Sequence, residues 1–147
     1  MTKKFEIIES QAISTSEINL LIEDVMSKLG IRHLAKLDRC SDVCRSLSLE
    51  LESRGGVTLN IVSKKFDDFS DIVTNSPIMF HHFLVLEIQG QSFLVDPTFG
   101  QFKGCPDIFV CDITGKEKDN CVKQLIRYNL PNKIFHFYIN EIVKEKY

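Results

Sequence analysis

Three features of this sequence predict an α+β fold, with N-terminal helices packed on an antiparallel β-sheet. Apolar residues recur at helical spacing through the first third of the chain. The period changes to two after Gly55-Gly56, and the strand-like runs then follow one another in sequence. The chain has 147 residues, with 44% hydrophobic and 26% charged, which suits one globular domain and excludes wholesale disorder. No repeat, linker or low-complexity tract divides it, so residues 1–147 read as a single domain.

The first helix is expected over Ser14 to Leu29. Ser14 and Glu17 make a capping box, Ile18, Leu21, Ile22, Val25, Met26 and Leu29 form the apolar stripe, and Gly30 stops it. The second spans Cys40 to Arg54, with Cys40, Cys44, Leu47 and Leu51 on one face and Gly55-Gly56 behind it. Asp38 and Ser41 can cap its first turn, which sets Cys40 at a helix N-terminus. Val57, Leu59 and Ile61 alternate with polar residues as a strand does. Lys64 to Pro77 reads as a polar loop. Phe80 to Ile88 and Ser92 to Val95 flank Gln89-Gly90-Gln91 and form a hairpin. A short strand at Ile108 to Cys111, a short helix at Cys121 to Tyr128 and a last strand at Ile134 to Val143 complete the order.

Charge and cysteine usage narrow the function. Eighteen basic residues against twenty acidic give a net charge of −2, so no broad basic field exists for nucleic acid. The N-terminus has no apolar run of a secretory signal, and no stretch is long enough for a membrane span. The five cysteines, Cys40, Cys44, Cys105, Cys111 and Cys121, are odd in number and widely spread, which reads as free thiols in a reducing cytosol. No Cys-x-x-Cys pair occurs, and neither a metal nor an organic cofactor is expected.

The chemistry-bearing residues are Cys40, the pair His81-His82, and Asp96 with Pro97, Thr98 and Gln101 beyond it. A thiol attacks as its thiolate, which a helix N-terminus and a neighbouring imidazole both favour. A carboxylate on the far ring nitrogen then fixes the imidazole's tautomer and orientation. Here a cysteine opens a helix, a histidine stands at the outer end of one hairpin strand, and an aspartate ends the other. Cys40, His81 and Asp96 thus form a candidate catalytic triad. Neighbouring strand residues face opposite ways, so only one histidine can meet Asp96; a one-residue register slip would exchange them.

The run from Arg39-Cys40-Ser41-Asp42 to Gly55-Gly56 resembles the cysteine helix of the papain-like and transglutaminase-like superfamily. His81-His82-Phe83-Leu84-Val85 and Leu94-Val95-Asp96-Pro97-Thr98 resemble its histidine and aspartate strands, in the same chain order. Within that superfamily the chain is most similar to the compact protein-glutamine deamidase domains of bacterial toxins and effectors, of the Pasteurella multocida toxin type. Their histidine and aspartate stand fifteen residues apart, as His81 and Asp96 do, with a glutamine five residues further, as Gln101 is here. The resemblance covers residues 39–102. It implies a papain-like core, a cysteine hydrolase that deamidates a glutamine on a protein substrate, an oxyanion role for Gln101, and a virulence effector that is cytoplasmic or secreted and works in a host cytosol. The same triad serves a cysteine peptidase or a transglutaminase, and the fold can also persist as an inert binding module.

Each residue has a plainer reading. Cysteine is among the most buried residue types, so Cys40 by itself reads as core; the spacing of His81, Asp96 and Gln101 turns it into a nucleophile. Cys44, one turn later, is assigned to packing, His33 and His136 to structure, and Lys144 to Lys146 to a solvated tail.

Overall fold

A computed structural model of the chain describes residues 12–36, 39–67 and 78–144. The expected α+β class and antiparallel sheet are present. The helices are α1 (Thr15–Lys28), α2 (Cys40–Arg54), α3 (Glu117–Arg127) and α4 (Asn132–Ile142). The strands are β1 (Thr58–Asp67), β2 (Ile78–Ile88), β3 (Gln91–Asp96) and β4 (Phe109–Asp112). They pair in the order β1-β2-β3-β4, every neighbour antiparallel.

Local chemistry explains most of these boundaries. Ser14 caps α1 through a reciprocal box, its hydroxyl accepting from the Glu17 amide at 3.1 Å and its own amide donating to the Glu17 carboxylate at 3.0 Å. Gln89 and Gly90 both adopt positive φ, 50° and 82°, between the paired residues Ile88 and Gln91. That is the two-residue turn whose twist suits a hairpin, and it pins the β2–β3 register.

The sheet is covered on both faces. Phe83 and Val85 of β2 and Leu94 of β3 pack with Cys121 and Leu125 of α3 and with Ile134, Phe137, Tyr138 and Ile142 of α4. Leu84 and Leu86 with Phe93 and Val95 pack instead against Ile22, Val25 and Met26 of α1 and Val43, Leu47 and Leu51 of α2. The two N-terminal helices thus pack on the sheet as expected, and α3 and α4 cover its other face, which makes three layers.

Three expectations need correction. The last element is a helix, α4, not a strand over Ile134 to Val143. Its buried residues Ile134, Phe137, Tyr138 and Ile142 follow helical spacing, while Phe135 and Ile139, placed with Phe137 on one strand face, are only partly buried. Secondly, β1 runs on through Lys64 and Lys65 to Asp67, because its backbone pairs with β2 as far as Ile78. An edge strand accepts such lysines readily, since its outer side faces water. The rest of the expected loop, residues 68–77, lies outside the described residues. Thirdly, Cys111 and Cys121 are not free. They form a disulfide between β4 and α3 with Cα atoms 5.7 Å apart, leaving Cys40, Cys44 and Cys105 as thiols. Their ten-residue separation spans a strand end, a turn and a helix start, and only the packing of α3 on β4 makes them neighbours.

Candidate active site

Register decides which histidine meets Asp96. Leu84 pairs with Val95, so Asp96 shares the face of Phe83, and His81, two residues earlier on β2, shares it too. Across this diagonal His81 Nε2 lies 2.7 Å from Asp96 Oδ2, both side chains fully buried. His82 points to the other face. Asp96 Oδ1 accepts from the Thr98 amide at 3.0 Å and the Thr98 hydroxyl at 3.4 Å. The segment Asp96-Pro97-Thr98 therefore folds back on its own carboxylate as an Asx turn does, holding it on the imidazole.

Cys40 is the first residue of α2. The preceding residue, Arg39, occupies the cap position; its side chain bonds the Asp42 carboxylate rather than capping the helix amides, and Val43 makes the first intrahelical bond, to the Arg39 carbonyl at 3.0 Å. Capping by Ser41 is thus not found, since Ser41 stands inside the first turn; Asp38 lies outside the described residues. The amides of residues 40–42 consequently have no acceptor within the helix, and the positive end of its dipole lies at the thiol.

The thiol donates to the Phe80 carbonyl at 3.2 Å and lies 3.9 Å from His82 Nδ1. Sitting against the β2 backbone where the two histidines diverge, it interacts with both rings. Burial alone pushes the Cys40 thiol up, but hydrogen bonds and charge from His81 and His82 more than offset this and bring it down to about 7. Burial likewise pushes His81 down, and the charge and hydrogen bond of Asp96, helped by Cys40, raise it to about 9. Between these values the favoured state is a thiolate beside an imidazolium.

Gln101 also reaches the cluster. It lies in a short 3-10 turn, Phe99–Gln101, and its Nε2 stands 3.1 Å from His81 Nδ1, the ring nitrogen that does not contact Asp96. The imidazole is enclosed by aromatic rings, with Phe102 edge-on at a centroid distance of 4.9 Å and Phe137 at 6.1 Å. Such walls hold the ring's plane and keep the local dielectric low.

The structure adds one residue that the sequence reading missed. Tyr138, from α4, is fully buried; its hydroxyl donates a hydrogen bond to Asp96 Oδ2 and lies 3.0 Å from His81 Nε2. A signal for it exists in the sequence, because a tyrosine inside the apolar helical stripe Ile134, Tyr138, Ile142 must find a partner for its hydroxyl. Reading that segment as a strand hides it.

The remaining cysteines behave differently from Cys40. Burial, with the charges of Asp96 and Cys40, pushes the Cys44 thiol well up, in keeping with packing. Burial and Asp96 push Cys105 up to about 11. His33 and His136 are exposed, away from the cluster. Among the described residues no group of three or more His, Cys, Asp and Glu side chains is arranged to hold a metal, and no helix is long and apolar enough to cross a membrane.

Comparison of the chain with protein-family models, with curated proteins and with solved structures finds no match in any of the three.

Proposed function

We propose that the protein is a thiol hydrolase that deamidates glutamine side chains on a protein substrate, with Cys40 as nucleophile, His81 as acid and base, and Asp96 as the group that orients His81. The observation that carries this reading is the thiol at the uncapped start of α2, set beside an imidazole that is itself paired with a buried carboxylate. The Cys40 thiolate attacks the carboxamide carbon and forms the C–S bond. The His81 imidazolium gives its proton to the nitrogen as the C–N bond breaks and ammonia leaves. Water then attacks the thioester, its proton passing to His81; the C–O bond forms, the C–S bond breaks, and the thiolate returns. The tetrahedral oxyanion is held by the first-turn amides of α2, with Gln101 as a side-chain donor.

Glutamine as the substrate side chain, a papain-like core and a role as a bacterial toxin or effector rest on the sequence resemblance. Peptide cleavage and transglutamination proceed through the same acyl-enzyme. A disulfide such as Cys111–Cys121 forms and persists in oxidising surroundings, which supports the secreted alternative over a purely cytoplasmic one.

A second reading, an inert binding module, is favoured by one observation: Cys40 is only 3% exposed, so a substrate reaches the sulfur only if its neighbours yield. Iodoacetamide labelling separates the two. An activated Cys40 labels with a midpoint near 7, whereas Cys105, held at about 11, stays silent there. In His81→Ala the midpoint returns toward an ordinary thiol near 8.5, cutting labelling at neutral pH about tenfold. Absence of Cys40 labelling at neutral pH in the intact protein refutes the enzymatic reading. With unfolded casein as substrate, deamidation releases ammonia and adds roughly one dalton per site without cleavage. Peptide fragments would instead identify a peptidase, and Cys40→Ser abolishes either outcome.

A further inference from the structure

We propose that Tyr138 is a positioning residue of this site, its hydroxyl dividing the Asp96 carboxylate with His81 and so setting the strength of the His81–Asp96 bond. The proposal deepens the reading of Cys40, His81 and Asp96 as a triad and rests on it. It starts from a count of donors. Asp96 is fully buried, and its two oxygens face four: the Thr98 amide and hydroxyl on Oδ1, His81 Nε2–H and the Tyr138 hydroxyl on Oδ2. A carboxylate has about four lone-pair sites, so this one is saturated by protein groups alone.

The two donors on Oδ2 compete. Negative charge drawn toward the tyrosine hydroxyl is not available to the imidazolium, and hydrogen bonds to the ionised form of a carboxylate reduce its pull on any other proton. Tyr138 is able to act only as a donor to Asp96, because burial, with the charge of Asp96 next, holds its phenol well above the usual range and keeps it protonated. The titratable groups acting on this cluster are Cys40 and Cys44 from α2, His82 from β2, Asp96 from β3, Cys105 from the segment before β4 and Tyr138 itself. Among the described residues, Tyr138 and Thr98 join His81 on the carboxylate. Thr98 is two residues from Asp96 in the chain, whereas Tyr138 is brought by α4, forty-two residues away. The C-terminal helix, which no catalytic motif covers, thereby enters the triad.

The test is a titration of the His81 imidazole by 15N-edited NMR on the full chain. Tyr138→Phe keeps the ring and removes the competing donor. The midpoint is expected to rise by about one pH unit. Uniform 3-fluorotyrosine, which replaces all three tyrosines and makes each phenol a stronger donor, should lower it, and needs no change in packing beyond one fluorine per ring. An unchanged midpoint in both samples overturns the proposal and leaves Tyr138 as a packed ring with a satisfied hydroxyl. If Tyr138→Phe does not fold, the fluorotyrosine sample decides alone. Cys40 labelling at neutral pH is measured in the same samples. Loss of that labelling in the unmodified protein removes the enzymatic reading, whereas normal labelling with unmoved midpoints removes only the role of Tyr138.

Discussion

Asp96 carries its charge in a fully buried position because Thr98, His81 and Tyr138 together replace water around it. Asp96→Asn should therefore disturb both chemistry and stability. Breaking a buried, hydrogen-bonded pair costs about 3–5 kcal/mol, which a urea midpoint will register. The pH dependence follows from His81. Its folded value of about 9 lies above the unfolded value, near 6.5 for a free imidazole. Its stabilising contribution is consequently full below about pH 6.5 and is lost as pH rises through about 9. Cys40, lowered to about 7, acts in the opposite sense, contributing above its unfolded value and losing that as pH falls through 7. Measured in a Cys40→Ser background, the urea midpoint is expected to fall between about pH 6 and about pH 10, and Asp96→Asn should flatten that fall. These residues were legible in sequence because a two-residue turn transmits register faithfully along a short hairpin. The choice of His81 over His82 rests on the fifteen-residue spacing to Asp96 alone, since a slip of one residue would reverse every side chain.

At the scale of elements, α4 is the instructive case. Ile134-Phe135-His136-Phe137-Tyr138-Ile139 is rich in residues that favour strands, and its apolar positions fit a period of two as readily as one of 3.6. Burial settles the matter, because only the helical stripe turns Ile134, Phe137, Tyr138 and Ile142 together onto the sheet. Phe137 packs edge-on against Phe66 at 5.4 Å and Phe83 at 4.9 Å, while His136 faces solvent. Phe137→Ala should cost about 3–5 kcal/mol. His136→Ala, one residue away, should stay within about 0.5 kcal/mol by the same urea titration. Had the segment been a strand, alternation would still separate these two, but Tyr138 would then lie on the face of His136. Circular dichroism of Tyr138→Pro, with loss of helical signal, distinguishes the cases. By contrast, α1 and α2 were legible because a capping box or a glycine pair marks their ends and their stripes admit only the helical period.

For the molecule as a whole, the Cys111–Cys121 disulfide clips α3 to β4, next to the helix that brings Tyr138. Closing a loop of this length stabilises by about 2–3 kcal/mol through the unfolded chain. Reduction should lower Tm by about 5–10 °C, measured by calorimetry with and without reductant. The sequence by itself determined the fold class, the two opening helices, the hairpin, and a cysteine, a histidine and an aspartate in positions to meet. These follow from interactions over short stretches of chain, where periodicity and turn chemistry speak directly. Only the tertiary structure decided that helices cover both faces of the sheet, that two distant thiols join, and that a tyrosine from the far end of the chain shares the buried carboxylate. Those outcomes depend on which surfaces pack together, and the burial free energy that selects them belongs to no single segment.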